Sequence, residues 1–102
     1  MIDFIKGGLS MNTYLMFGKY SSEAIKGISS KRTEEANRLI AENGGEIVAQ
    51  YILMGENDLL FIVKFSSIEE VIKSSVAMNK LTGISFNSVP AITVEQFDKI
   101  IT

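Results

Sequence analysis

Histidine, cysteine and tryptophan are absent from this chain, and proline occurs once. Without imidazole or thiol there is no histidine general base, no thiolate nucleophile, no zinc site of the Cys/His type and no His or Cys ligation of haem. Any chemistry therefore rests on carboxylates, Lys, Arg, Tyr, Ser and Thr, or on a bound group. No cofactor is expected, because Gly18-Lys19-Tyr20 lacks the phosphate-loop pattern and no dinucleotide fingerprint occurs. The 5 methionines are scattered like gap fillers rather than gathered as metal ligands. A chain without cysteine has no disulfide to support it, which fits a reducing compartment, so a cytoplasmic location is expected.

Charge of one sign is also lacking. The 10 Lys and Arg stand against 12 Asp and Glu, interspersed, for a formal net charge of -2, so the basic footprint that nucleic acid requires is missing and it is not an expected partner. No apolar stretch approaches the roughly 20 residues that span a membrane, and the start lacks the basic segment and apolar core of a secretory signal. Gly7-Gly8 precede a second methionine, Met11. Residues 1–11 are therefore expected to be an extension outside the fold, with an added edge strand as the alternative, and residues 12–102 a single domain.

What the chain does hold is strands apolar on both sides. Leu59-Leu60-Phe61-Ile62-Val63 runs without interruption, whereas a strand with one wet face would alternate. Asn12 to Gly18 reads as a first strand and Glu46 to Met54 as a second. Leu59 to Phe65 is a third, joined to the second by the tight turn Gly55-Glu56-Asn57-Asp58, and Ile84 to Ala91 is a fourth, placed at an edge or an end by Pro90. Between them, Ser21 or Ser22 caps a helical segment that Gly27 and Ser29-Ser30 break. A second segment runs from Ser30 to Asn43, with Ala36, Leu39 and Ile40 on its buried side and Gly44-Gly45 as its left-handed stop. Ser66 or Ser67 caps a third helix whose apolar positions are Ile68, Val71, Ile72, Val76 and the small Ser75, ended by Thr82-Gly83. Thr93 with Gln96 caps a short last helix bearing Phe97, Ile100 and Ile101.

The order is β-α-β-β-α-β plus a terminal helix, an α+β chain in which the helices cover one face of a four-stranded antiparallel sheet. Pairing Met54 with Leu59 puts Val48, Gln50, Ile52, Phe61, Val63 and Phe65 on the helix side. Ala49, Tyr51, Leu53, Leu60, Ile62 and Lys64 fall on the helix-free side, to which Tyr14 and Met16 are added. Left open, that second face would exceed the apolar patch a monomer tolerates, so a second copy is expected on it. Burying some 1,000 Å² of apolar area is worth on the order of 25 kcal/mol before ordering costs.

Several stretches are familiar together: Thr13-Tyr14-Leu15-Met16, Lys19-Tyr20-Ser21, Ile25-Lys26-Gly27-Ile28, Gly55-Glu56-Asn57-Asp58, Ser75-Val76-Ala77 and Thr82-Gly83-Ile84. From Asn12 to Ile101 the chain resembles the GYD-domain family, small proteins of unassigned function, and the resemblance implies a ferredoxin-like subunit paired into a dimeric α/β barrel. The family's name motif falls on Gly55 and Asp58, with Asn57 in place of its Tyr. The hairpin, the following helix and the fourth strand are also similar to the effector-binding domains of leucine-responsive regulators, where a Gly-x-x-Asp hairpin borders an amino-acid site between subunits.

The candidate ligand-binding residues are Tyr14, Lys19, Tyr20, Tyr51, Gly55, Asp58 and Lys64. Tyr14, Tyr51 and Lys64 are expected to converge on the helix-free face as polar tips in an apolar hollow, or simply to fill an interface between copies. Lys19-Tyr20 lies between a strand end and a helix start, where anions bind, with Lys31-Arg32 as added charge, although such residues also serve as a plain solvated face. Gly55 and Asp58 suit an effector hairpin, and equally any tight turn. No catalytic pair is visible. The expectation is a homo-oligomer that holds a small organic ligand at the sheet face between subunits. The alternative is a small dimeric-barrel enzyme of the cofactor-independent oxygenase or isomerase type, working through Tyr14, Tyr51, Lys64 or Asp58.

Overall fold

The computed structural model describes residues 11–102, and the expectation for the first ten residues lies outside that range. The elements are β1 (Asn12–Tyr20), α1 (Ser22–Lys26), α2 (Ser30–Glu42), β2 (Glu46–Ile52), β3 (Leu59–Phe65), α3 (Ile68–Thr82), β4 (Ile84–Ala91) and α4 (Val94–Ile101). The four strands form one antiparallel sheet in the order β2-β3-β1-β4, the ferredoxin-like arrangement expected of this element order. Pro90 stands near the end of β4, an edge strand, where its missing donor costs no ladder bond. No helix among the described residues is long and apolar enough to cross a membrane.

Local chemistry sets the helix ends. The hydroxyls of Ser21, Ser29, Ser67 and Thr93 each accept a backbone N–H from the first turn of the following helix, and Thr93 with Gln96 completes a capping box. The break between α1 and α2 falls at Gly27-Ile28-Ser29, as expected. Gly44 (φ 86°) and Gly83 (φ 77°) take the left-handed conformation that ends α2 and α3. Both serines before α3 are used: Ser67 is the N-cap, while the Glu70 carboxylate accepts from the backbone and hydroxyl of Ser66.

The core lies between the sheet and α1 to α3. Tyr14, Met16, Leu59, Phe61, Val63, Phe65 and Ile84 supply the sheet side, and Ala24, Ala36, Ile40, Val71 and Met78 the helix side. This corrects the placement of Tyr14 and Met16, which are 5% and 0% exposed beneath the helices, while Leu15 and Phe17 take the helix-free side. Four apolar residues in succession carry no alternation, so β1 has no phase of its own. Its phase is set by Gly18: a Cβ there would come to 3.0 Å from both Ile84 Cγ2 and Phe86 Cε1, so the inward row Tyr14, Met16, Gly18, Tyr20 passes the crowded point at a residue with no side chain.

The β2–β3 hairpin differs in register as well. Ile52, not Met54, pairs with Leu59, and the connection runs through Leu53 to Asp58. The slip is by two residues, so Gln50 and Ile52 keep the expected helix side and Ala49 and Tyr51 the other. Val48 does not keep its place, because the ladder shifts between Ile47 and Ala49, Ile47 faces Val63 and Val48 is exposed. On α3 the buried stripe is Val71, Ser74, Met78 and Thr82, and Ile68, Ile72 and Val76 are left exposed. Both sets have helical spacing, and the one facing the sheet prevails.

Candidate functional site

Opening the first helical stretch at Gly27 leaves room beneath it. Between the α1–α2 break at Ile28, the start of α2, the end of α3 and the sheet lies a cavity of about 260 Å³. Its walls are apolar, with Ile28, Ile52, Phe61, Met78 and Ile84 among them, and Tyr20 and Arg32 bring polar tips. The Arg32 guanidinium donates to the carbonyl oxygen of Ala24 and lies 5.9 Å from the centre of the Tyr20 ring, within reach of a cation–π contact worth about 0.5–1 kcal/mol. One donor of a five-donor fork is thus used to brace α1. Three other polar residues of the wall are engaged by the protein: Thr82 Oγ1 donates to Met78 O (2.7 Å) and accepts from Ile84 N (3.1 Å), Gln50 Nε2 donates to Asn37 Oδ1 (2.8 Å), and Thr33 Oγ1 donates to Ser29 O (3.2 Å).

The expected site residues are only partly brought together. Tyr14 lies in the core, packed edge-on against Phe65 at 6.4 Å between ring centres, and does not join Tyr51 and Lys64, so the threefold convergence on the helix-free face fails. Tyr51 and Lys64 do share that face. Tyr51 also borders the cavity at the sheet edge. Lys19 is exposed and alternates to the helix-free side, away from Tyr20, which lies on the helix side opposite Ile84. Tyr20 gains Arg32 instead, so the charge expected from the Lys31-Arg32 pair reaches it through Arg32 alone.

Asp58 turns out to be a structural tether. Its carboxylate accepts the Tyr20 backbone N–H at 2.9 Å, its own N–H donates to Gly18 O and its carbonyl accepts from Leu53 N, both also at 2.9 Å. The hairpin is thereby fastened to the end of β1, directly before the cap of α1. Neither the positive φ nor the local side-chain bonding of a simple tight turn explains the residue types here: Gly55 and Asn57 have no positive φ, and a Cβ on Gly55 would meet nothing within 4 Å.

Among the residues missed by sequence reasoning are Ile28, Phe61 and Met78, whose types signal core and no more, and Gln50, which reads as an ordinary polar strand residue. Only the packing of helices on the sheet turns them into a wall. Among the described residues no group of three or more His, Cys, Asp or Glu is placed to hold a metal ion. The arrangement is suited to enclosing a small molecule with an apolar body and one group that accepts hydrogen bonds.

Comparison with known proteins agrees with the fold. The model of the family described as GYD domain matches residues 14–101. The crystal structure of the leucine response regulatory protein of Mycobacterium tuberculosis superposes with a TM-score of 0.53 at 11% identity, covering 80% of this chain and 51% of that one. This chain thus spans about half the length of that protein, and at such identity the likeness concerns the fold. No curated protein matches the chain.

Proposed function

The chain belongs to the GYD-domain family, and from that premise we propose that it is the small-molecule-binding subunit of a homo-oligomer. The observation that carries this reading is the cavity between the helices and the sheet. A dry cavity of about 150 Å³ holds a benzene molecule, so one of about 260 Å³ has room for roughly ten heavy atoms in proportion. Apolar walls supply affinity for the body of such a ligand, and Arg32 and Tyr20 supply orientation. This moves the ligand from the helix-free face to the opposite side of the sheet.

The helix-free face is then left to self-association. Leu15, Phe17, Leu60 and Ile62 form its middle, with Tyr51 on the edge strand β2 and Lys64 at the far end of β3, and apolar residues flanked by Tyr and Lys stems suit packing against a second copy.

Thermal-shift and native mass spectrometry measurements against amino acids, aromatic acids and quinone-like compounds test the binding. Leucine belongs in the set because the structural neighbour is named for its response to it. A saturable rise in melting temperature is expected for at least one small apolar acid and should vanish in Ile28→Trp, which places a bulky ring at a half-exposed cavity position. No stabilisation by any compound at millimolar concentration, or stabilisation unchanged in Ile28→Trp, would remove the cavity from the proposal. Conversion of a compound to product would favour an enzyme instead.

A further inference from the structure

Helix α4 is well formed and touches almost nothing. Its capping box is complete, yet none of its side chains is buried, and the stripe Val94, Phe97, Ile100 and Ile101 is 76%, 53%, 72% and 66% exposed. A helix of eight residues is too short to hold itself together in water and normally depends on packing of its apolar face.

A second unpartnered apolar surface lies elsewhere on the same subunit. Where α3 meets the edge strand β4, Ile68, Ile72 and Val76 stand about half exposed beside Phe86 and Ser88, lining adjoining hollows of about 240 and 330 Å³. Ser75 and Ser88, with hydroxyls 3.4 Å apart, join the two walls. From Ile68 to Val76 the groove runs about 12 Å, the length of an eight-residue helix. Its outer flank on α3 carries Lys73 and Lys80 with Glu69, a net charge of +1, while α4 carries Glu95 and Asp98 against Lys99, a net charge of -1, with Asp98 nearest its apolar stripe by helical spacing, so seating α4 there brings opposite net charges together.

We propose that α4 of one copy lies in the α3–β4 groove of a second copy, which returns its own α4 in exchange. The occupant is a second copy because stripe and groove belong to one chain, and because α4 stays out of its own groove although only Ile92 and Thr93 join it to β4. Reciprocal exchange of an identical element satisfies both surfaces with one twofold operation. The contact is a helix in a groove, separate from the helix-free sheet face. It extends the proposed self-association, but its failure would leave both the cavity and the sheet contact standing.

The absence of cysteine makes disulfide trapping free of background. Phe97 is near the middle of α4 and Ile72 near the middle of the groove, so the two approach whichever way the helix runs. Phe97→Cys and Ile72→Cys, each in a separate full-length chain, are mixed by joint refolding and oxidised. A disulfide-linked dimer of one chain of each kind is expected, well above the yield from Phe97→Cys with Glu34→Cys on the far side of α2. Since loss of Phe97 weakens the contact itself, Ile100→Cys with Val76→Cys is run as a second pair. Failure of both pairs to exceed the control overturns the proposal. So does closure of a disulfide within one chain carrying both Phe97→Cys and Ile72→Cys, which would mean that α4 folds back on its own groove. If light scattering still gives a dimer while no cross-link forms, the exchange alone is wrong.

Discussion

Asp58 offers the sharpest test of structure against sequence motif, because a site residue and a tether respond differently to the same substitution. Asp58→Ala removes the carboxylate that accepts the Tyr20 N–H at 2.9 Å and leaves the two backbone bonds of residue 58 in place. Hydrogen bonds to a charged acceptor contribute about 1.5–3 kcal/mol. This one is only partly buried, so a loss of about 2 kcal/mol is expected. In a domain of this size each kcal/mol moves the melting temperature by about 4–8 °C, so the midpoint should fall by roughly 10 °C. Asp58→Asn keeps an acceptor oxygen but not its charge, and should lose about half as much. Thermal and urea unfolding followed by circular dichroism measure both, with an unchanged urea slope marking a change in stability rather than in the unfolded state. Equal stability of wild type and Asp58→Ala would refute the tether, and an Asn variant as unstable as the Ala variant would refute the role of the acceptor oxygen.

Other substitutions probe other links. Gly45→Ala should destabilise by about 3 kcal/mol through overpacking, because its Cβ would lie 2.5 Å from ring atoms of the fully buried Phe65 and 2.8 Å from Ile40 Cγ2; a wild-type melting temperature would contradict that crowding. Gly83→Ala should cost about 1–2 kcal/mol for its left-handed backbone, and more as its Cβ meets the capping hydroxyl of Ser21 at 2.8 Å; unfolding in urea decides this. Ser74→Ala should stabilise by about 1 kcal/mol, since the Ser74 hydroxyl is fully buried without a partner among the described residues, and a loss of stability would mean that the hydroxyl is satisfied. Ile62→Glu places a charge in the middle of the helix-free face and should dissociate or unfold the protein, as sedimentation would show.

Helix ends, decided by residues close in sequence, are legible in it, whereas the register of the β2–β3 hairpin is not. The caps at Ser21, Ser67 and Thr93, the break at Gly27 and the left-handed stops at Gly44 and Gly83 are each local chemistry, and each fell where expected. What escaped was decided at a distance. The phase of β1 depends on Ile84 and Phe86 crowding Gly18, which nothing in Tyr14-Leu15-Met16-Phe17 announces. Two apolar stripes on α3 have equal periodicity, and only the sheet chooses between them. The Asp58 tether spans 38 positions to Tyr20, so its motif reads locally as a turn. The cavity exists only once two helices and four strands are packed, and Arg32, which the sequence offers with Lys31 as added charge beside Lys19-Tyr20, is not marked there as part of a wall.

In the proposed assembly the helix-free side of the sheet is covered by another molecule of the same kind. Light scattering coupled to size-exclusion chromatography on the full chain at tens of micromolar should return at least twice the subunit mass of 11.2 kDa, and Ile62→Glu, if it stays folded, should return a lower mass than wild type. A wild-type peak at 11.2 kDa, with that apolar side open to water, would contradict it.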